Sequence, residues 1–224
     1  MARKYEQRRR AEGAAATRRR IVETTVELHR TVGPAATRVT EIARRAGLQR
    51  VTVYAHFPDE RSLIAACSAH WRAVHPAPNP LGWAGVEPAS ARLRTGLAAL
   101  YGWYRETRQM TANVLRDADS VPSLRAVLDG GLLAWLAAVR DCLEAPYADA
   151  GGVVPERVTA AVRVAADFHT WLALESLGDL DAAELAARLV EAAAQDSPAA
   201  PGRPEAATTP QSDHSPQPRP IHLL

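Results

Sequence analysis

Four side chains that can form hydrogen bonds lie close together in one short segment. They are Arg50, Thr52, Tyr54 and His56. Val53 and Phe57 stand four residues apart in the same segment, so on a helix they share the inner face and leave the polar side chains outside. Guanidinium, hydroxyl and imidazole groups can donate to phosphate oxygens and to base edges. The segment therefore has the chemistry to contact a polyanion.

The charge distribution points in the same direction. Residues 1–56 contain 13 Arg and Lys against 5 Asp and Glu, a net charge of +8, whereas residues 57–224 contain 14 against 20. A basic front on an acidic body predicts a polyanion partner for the front alone. An anionic membrane surface would also attract it, but the front has no large apolar face suited to insertion. Nucleic acid is the favoured partner, and no membrane partner is expected.

The residues before Arg50 complete a helix-turn-helix pattern over residues 39–58. Gly47 supplies the positive φ that a tight turn needs, and Leu48 is expected to fold back into the core. The apolar inner side of the preceding helix consists of Ile42, Ala43 and Ala46. A helix that presents hydrogen-bonding groups beside a basic region suits reading of the DNA major groove.

The rest of the chain predicts an all-α protein, because strand-type alternation is nowhere sustained. Its expected divisions are a basic flexible arm at 1–16, a helix-turn-helix domain at 17–74, a Pro/Gly-rich connection at 75–88, a larger helical domain at 89–196 and a disordered tail at 197–224. The front helices are predicted at 17–31, from Thr40 (as its cap) to before Gly47, at 49–56, and from the cap Asp59 to Val74. The later helices are predicted at roughly 89–108, 110–117, 122–145, 155–177 and 181–195.

The front segment resembles the DNA-binding domain of the tetracycline-repressor (TetR) family over about 60 residues. The matching residues are Gly33, Thr40-Glu41-Ile42-Ala43, Ala46-Gly47-Leu48, Thr52-Val53-Tyr54, His56-Phe57-Pro58 and Leu63. The layout of a three-helix front, a connecting fourth helix and a larger helical body is similar as well. The resemblance implies a regulator of transcription, usually a repressor, that binds a double-stranded DNA operator.

Roles for single residues follow from the resemblance. Thr40 and Tyr54 match positions that hold DNA phosphates. Arg50, Val51 and Thr52 match positions that face base edges, where arginine favours guanine. His56 matches either a phosphate contact or packing against the fourth helix. The candidate DNA-binding residues are Arg38, Thr40, Arg50, Val51, Thr52, Tyr54, His56 and Arg61.

One position departs from the family pattern. Two residues after Pro58 the family usually has a lysine that meets phosphate, and here that residue is Glu60, followed by Arg61. A glutamate suits a helix N-terminus but repels DNA. The phosphate contact is therefore in doubt or has shifted to Arg61.

The resemblance also implies that the domain at 89–196 binds an unknown small-molecule effector and forms a homodimer. Candidate pocket residues are Trp103, Tyr104, Met110, Val114, Leu115, Trp135, Phe168, His169 and Trp171. Aromatic residues at helical spacing are more often core, and His169 is more often a buried histidine than a ligand contact. Alanines of the last two helices, such as Ala182 and Ala186, favour a closely packed four-helix interface between two subunits.

Other classes of function have little support. The sequence contains no nucleophile elbow, glycine-rich phosphate loop or HExxH motif, so we predict neither an enzyme nor a cofactor or metal site. The two cysteines, Cys67 and Cys142, could form a disulfide, but two free thiols in a reducing cytosol are favoured. The expected location is the bacterial cytoplasm, at the nucleoid. A regulator of the same fold without a small-molecule effector remains the alternative.

Overall fold

The computed structural model describes residues 2–195, and this part of the chain is helical with no strand. The predicted all-α fold is confirmed. The helices are α1 (Ala2–Thr31), α2 (Val39–Ala46), α3 (Arg50–His56), α4 (Glu60–Val74), α5 (Ala89–Asp117), α6 (Pro122–Asp129), α7 (Leu132–Glu144), α8 (Glu156–Ala165), α9 (Phe168–Leu174) and α10 (Asp179–Gln195). The predicted tail at 197–224 lies outside the described residues.

The first helix begins much earlier than predicted. α1 starts at Ala2 rather than at residue 17, so residues 2–16 form a helix instead of a flexible arm. Alanine, arginine and glutamate have high helix propensity, and the Arg8–Glu12 ion pair at i, i+4 adds to it. The charge of this segment had favoured a solvated arm, but its composition favours a helix. The end at Thr31 and the turn at Gly33, with φ of +95°, are as predicted.

Helices α2 and α3 form the predicted helix-turn-helix. Gly47 joins them in the left-handed conformation with φ of +62°. The inner residues are buried in one front cluster, which includes Ile42, Ala43, Val53 and Phe57. One detail was wrong: the residue that precedes α2 as its cap is Arg38, without a side-chain hydrogen bond, and Thr40 lies inside the first turn.

The front cluster extends across α1, α2, α3 and α4 and reaches the body. Asp59 caps α4 as predicted, since its carboxylate accepts a hydrogen bond from the Ser62 amide at 2.6 Å. Met110 of α5 is buried in the same cluster, and Val114 packs partly against it. The front and the body therefore share apolar packing as well as a chain connection.

The body is built around α5, which has a buried apolar stripe. Leu93, Leu97, Leu100 and Tyr104 are fully buried. The predicted break near residue 109 is wrong, because no Gly or Pro interrupts the chain there and α5 runs on to Asp117.

Two other predicted body helices are each divided in two. The helix predicted at 122–145 is broken at Gly130-Gly131, between α6 and α7. The helix predicted at 155–177 ends at Ala165, and Asp167 then caps α9 by accepting a hydrogen bond from the His169 amide at 2.8 Å. Glycine and aspartate at these points favour a helix end and a new cap over a continuous helix.

The alanines of α10, which the sequence assigns to a dimer interface, are instead used within the chain. They are fully or nearly fully buried in the body core, where α10 packs against α5 and α8: Ala182, Ala183, Ala186 and Ala187. Small side chains allow these helices to approach closely. Trp83 of the connection is buried in the same core, and both cysteines are free thiols.

Candidate nucleic-acid interface and an adjoining cavity

Helix α3 presents one outward face that is open to solvent. Val51 is 67% exposed and Tyr54 is 46% exposed, whereas Val53 between them is 1% exposed. Arg50 is exposed and Thr52 is half-buried. The face that the sequence predicts to point outward does so, and its apolar inner residues fix α3 on the front cluster.

The polar side chains of this surface have no partner of their own. Within residues 2–195 no hydrogen bond or ion pair engages the side chains of Arg38, Arg50, Tyr54 or Arg61, and the three arginines are exposed. In contrast, Arg44 and Arg45 of α2 are both bound by Glu41, at 2.7 Å and 2.6 Å. The guanidinium groups of Arg38, Arg50 and Arg61 are thus available to a bound anion, whereas those of Arg44 and Arg45 are neutralised by Glu41.

The first turn of α2 adds a site suited to an anion. Thr40 is exposed there beside Arg38, and the amides of Val39 and Thr40 precede the first intrahelical hydrogen bonds, which begin at Glu41. Unpaired amides and the helix dipole favour negative charge at such a position. A phosphate bound at this turn would meet amide, hydroxyl and guanidinium donors.

The C-terminal end of α3 is held by α1. Arg18 donates a hydrogen bond to the carbonyl oxygen of His56 at 2.9 Å, and its guanidinium lies 4.0 Å from the centre of the Phe57 ring. The His56 side chain is half-buried at this end, and its phosphate contact stays a prediction.

Glu60, the residue that departs from the family pattern, faces the body. Its carboxylate accepts a hydrogen bond from the Ser123 hydroxyl of α6. The glutamate therefore links the start of α4 to the body, a contact that lysine could not form as an acceptor. Arg61 is exposed at the same end of α4.

A second contact joins the end of α1 to α5. The Asn113 amide donates to the carbonyl oxygens of His29 and Arg30 at 3.0 Å and 2.7 Å, so it satisfies the last turn of α1. The Ala35 amide donates to the Asp117 carboxylate at 3.0 Å. Gly33 lies against this carboxylate, and a Cβ added there would come within 2.5 Å of it.

The helix-turn-helix lies within a segment that matches a known family. Residues 21–67 match the profile of the family described as bacterial regulatory proteins, tetR family. The front of the chain is therefore a DNA-binding domain of the tetR family, and the protein that carries it is a DNA-binding transcriptional regulator with a helix-turn-helix.

Solved structures of tetR-type regulators share the fold of most of the chain. A putative TetR-family transcriptional regulator from Mesorhizobium loti is 16% identical, with a TM-score of 0.50 over 81% of this chain and 95% of that one. A TetR transcription regulator from Haloarcula marismortui is 15% identical, with a TM-score of 0.52 over 81% and 97%. At this identity the likeness establishes the fold. No curated protein matches this chain in sequence.

The tetR-type front and the body enclose a cavity of about 200 Å³ between them. Its walls come from α1, α4, α5, α6 and α7, so both parts of the molecule contribute. The larger lining residues are Ile64, Cys67, Trp71, Trp103, Met110, Val114, Leu124, Leu128, Leu132 and Trp135, and the polar ones are His29, Ser68, Arg72 and Thr111. The lining is predominantly apolar, as in small-molecule sites.

Two of the cavity tryptophans have their indole N–H groups tied to the connection. Trp135 donates to the Pro78 carbonyl at 2.9 Å and Trp103 donates to the His75 carbonyl at 3.4 Å. Their rings lie 4.9 Å apart, centre to centre. Because the donors are already satisfied, these tryptophans offer ring surface to whatever the cavity holds.

The predicted pocket residues divide between this cavity and the body core. Trp103, Met110, Val114 and Trp135 line the cavity. The other five do not: Tyr104, Leu115, Phe168, His169 and Trp171. Tyr104, Phe168 and Trp171 pack together in the buried core, with Tyr104 edge-to-face against Phe168 and tilted against Trp171, and the Tyr104 hydroxyl donates to the Ala166 carbonyl at 2.9 Å. These three aromatic residues therefore belong to the core, which is the alternative that the sequence leaves open for aromatic residues at helical spacing.

His169 was expected to be buried, and this is wrong. Its side chain is 72% exposed and lies 3.4 Å from the Asp167 carboxylate at the start of α9. The histidine of the cavity is His29 of α1, which sequence reasoning missed together with the whole α4 wall. The signal available in the sequence is the series of apolar residues that continues along α4 beyond Leu63, namely Ile64, Cys67 and Trp71.

His29 is buried at the junction of front and body, and burial lowers its pKa to about 4, although the nearby Asp117 carboxylate opposes the shift. The folded protein therefore keeps this imidazole neutral, while the unfolded chain protonates it below about pH 6.5. The contribution of His29 to the free energy of unfolding is therefore fully present above about pH 6.5 and is lost as the pH falls toward 4.

We expect the free energy of unfolding to fall by about 3 kcal/mol between pH 7 and pH 4 because of His29, at about 1.4 kcal/mol per pKa unit. Denaturant titrations at both pH values test this with His29→Gln as the comparison. The wild type should lose about 3 kcal/mol more than the variant. Equal losses in the two proteins would show that His29 does not carry this dependence.

Proposed function

We propose that this regulator binds a double-stranded DNA operator as a homodimer, and that it is a repressor released by a small-molecule effector in the cytoplasm, at the nucleoid. One observation carries the DNA-binding site: the exposed face of α3, with its donors unpaired, stands on a helix-turn-helix of the tetR family. A free hydrogen-bonding face on a buried apolar support is what a recognition helix needs.

The exposed residues have two different roles in this proposal. Arg50, Val51 and Thr52, at the start of α3, read base edges, and Arg50 favours guanine. Thr40, Tyr54 and Arg61, with Arg38 and His56, hold phosphates on either side of the groove. Base contacts specify the sequence, whereas phosphate contacts position the protein on any duplex.

This division predicts different effects for Arg50→Ala and Tyr54→Phe. The first should weaken binding to the preferred operator by about 1–3 kcal/mol and leave a scrambled duplex nearly unaffected. The second removes only a hydroxyl that meets phosphate, so it should weaken both duplexes about equally. Fluorescence anisotropy on the two duplexes measures this, and circular dichroism verifies folding. If Arg50→Ala leaves discrimination unchanged, Arg50 does not read a base.

The dimer proposal rests on an exposed apolar strip on α8 and α10. Val164 of α8 is 54% exposed, and Leu185 and Leu189 of α10 are 41% and 51% exposed. Leu185 and Leu189 stand four residues apart and share one face of α10, as Ala160 and Val164 do on α8. Exposed apolar side chains on two helices that pack against each other indicate a protein interface, and two helices from each subunit would form a symmetric four-helix contact.

The effector proposal rests on the position of the cavity. α1 and α4 of the front form one side, and α5, α6 and α7 of the body form the other. Three tryptophans and a neutral His29 favour a compact and largely aromatic ligand, and Arg72 adds a cationic group to the lining. A ligand that fits better when the two parts move relative to each other would shift the dimer away from the DNA-binding arrangement.

A compound that binds this cavity should raise the melting temperature of the wild type and lower its affinity for the operator. Three of the five tryptophans line the cavity, so binding should also change the intrinsic fluorescence. Val127→Trp fills the cavity and should abolish both effects, whereas Val153→Trp, at a 64% exposed position, should retain them. A compound that acts equally on both variants binds elsewhere.

A further inference from the structure

The first half of α1 makes no hydrogen bond or ion pair with the rest of the described chain. Residues 3–16 are all exposed, Thr17 is the first half-buried residue of α1, and Ile21 is the first buried one. We name residues 3–16 the N-terminal extension. At 1.5 Å per residue it is about 20 Å long. The tetR match also begins at residue 21, so the extension lies before the matched segment.

The contacts of α1 fix the direction of the extension. The last turn of α1 is bound by Asn113 of the body. Eleven residues before His29, Arg18 is bound at the C-terminal end of α3 through the His56 carbonyl and the Phe57 ring. A helix that runs from the body past the end of α3 continues beyond it, on the side away from the body. The extension therefore begins beside the recognition helix and leads outward from it.

The composition of the extension identifies the kind of partner. It carries five basic residues, Arg3, Lys4, Arg8, Arg9 and Arg10, against the two acidic residues Glu6 and Glu12. Three more basic residues follow it directly: Arg18, Arg19 and Arg20. Apart from alanines its one large apolar side chain is Tyr5, which is 64% exposed with Arg9 near its ring. It has no apolar face for a membrane or a partner helix. A polyanion is the partner that fits this composition. The DNA that we propose to bind at α3 is a polyanion that would lie beside the extension.

We infer that the N-terminal extension lies along the DNA that flanks each operator half-site and binds its phosphates. This inference rests on the proposed DNA binding by α3. At about 3.4 Å per base pair, a helix of this length reaches about six base pairs beyond the half-site. Because the basic side chains are distributed around the helix, contact is with phosphates and carries no base preference. The helix thereby raises affinity without changing the sequence that is read.

The test compares two duplexes that share the operator. One carries about ten extra base pairs at each end, and the other is trimmed at the half-site edges. The variant is R8Q/R9Q/R10Q, and the control is R105Q/R108Q/R125Q, which makes the same charge change at exposed arginines of the body. Circular dichroism verifies that both variants fold. Anisotropy titrations are performed at several salt concentrations.

We expect R8Q/R9Q/R10Q to bind the flanked duplex at least tenfold more weakly than the wild type at 0.1 M salt. Its slope of log affinity against log salt should be smaller by about 2 to 3, because about 0.9 is lost per phosphate contact. On the trimmed duplex it should equal the wild type, and the control should equal the wild type on both. Equal effects on the two duplexes, or none, would overturn the inference while leaving operator binding intact. A wild type that binds neither duplex would instead overturn the proposed function.

Discussion

Val53→Asp should unfold the front of the molecule and abolish DNA binding. Val53 is 1% exposed beneath α3, in the cluster that joins α1, α2, α3 and α4. An ionised carboxylate without a partner costs several kcal/mol to bury, a large part of the 5–15 kcal/mol by which domains are stable. Thermal melting followed by circular dichroism should show the loss of the front helices at a lower temperature than in the wild type.

Val51→Asp is the matched control, because the same change is made two residues away on the opposite face. Val51 is 67% exposed, so its carboxylate stays in water and the melting curve should equal that of the wild type. Binding should nevertheless weaken, since a negative charge is then placed in the groove of a polyanion. Destabilisation of Val51→Asp equal to that of Val53→Asp would mean that the inner and outer faces of α3 are wrongly assigned.

The second large effect is expected from Leu185→Asp together with Leu189→Asp. Charges on the apolar strip of α10 should repel across a symmetric interface, so the protein should become monomeric. A monomer holds one half-site at a time and loses the gain from linking two recognition helices, so operator affinity should fall by about 10² or more. Light scattering measures the mass, and anisotropy measures the affinity.

Leu81→Asp provides the control for this pair of changes. Leu81 is 79% exposed in the connection, away from α8 and α10, and a charge there should alter neither mass nor affinity. The double variant should keep the wild-type helix content, because both leucines lie at the surface. A double variant that stays dimeric would place the interface elsewhere.

The front of the chain could be predicted almost residue by residue because its signals are local. Gly47 permits the positive φ of the turn, and Val53 with Phe57 fixes which face of α3 is buried. The extent of α1 was missed because a run of arginines favours both a solvated arm and a helix. The charge of residues 2–16 favours a solvated arm, whereas their helix propensity favours the helix that the structure has.

The cavity could be predicted only in part because it lies between elements far apart in sequence. Trp103 and Trp135 were identified from their aromatic character, but His29, Cys67 and Trp71 come from helices assigned to DNA binding. Nothing in their spacing shows that α1 and α4 face the body. That depends on tertiary contacts such as Asn113 at the end of α1 and Ser123 at Glu60. Phe168 and Trp171 had the same aromatic signal and became core instead.

The most direct test of operator reading by α3 is a selection from random DNA with the wild-type protein and Arg50→Ala, followed by sequencing. The wild type should enrich a two-fold symmetric motif whose half-sites lie about 10 base pairs apart or a near multiple, so that two recognition helices meet one face of the duplex. Arg50→Ala should enrich the same motif with the preference lost at one base pair in each half-site. A wild type that enriches no motif, or an Arg50→Ala motif identical to the wild-type one, would contradict reading of the operator by Arg50 of α3.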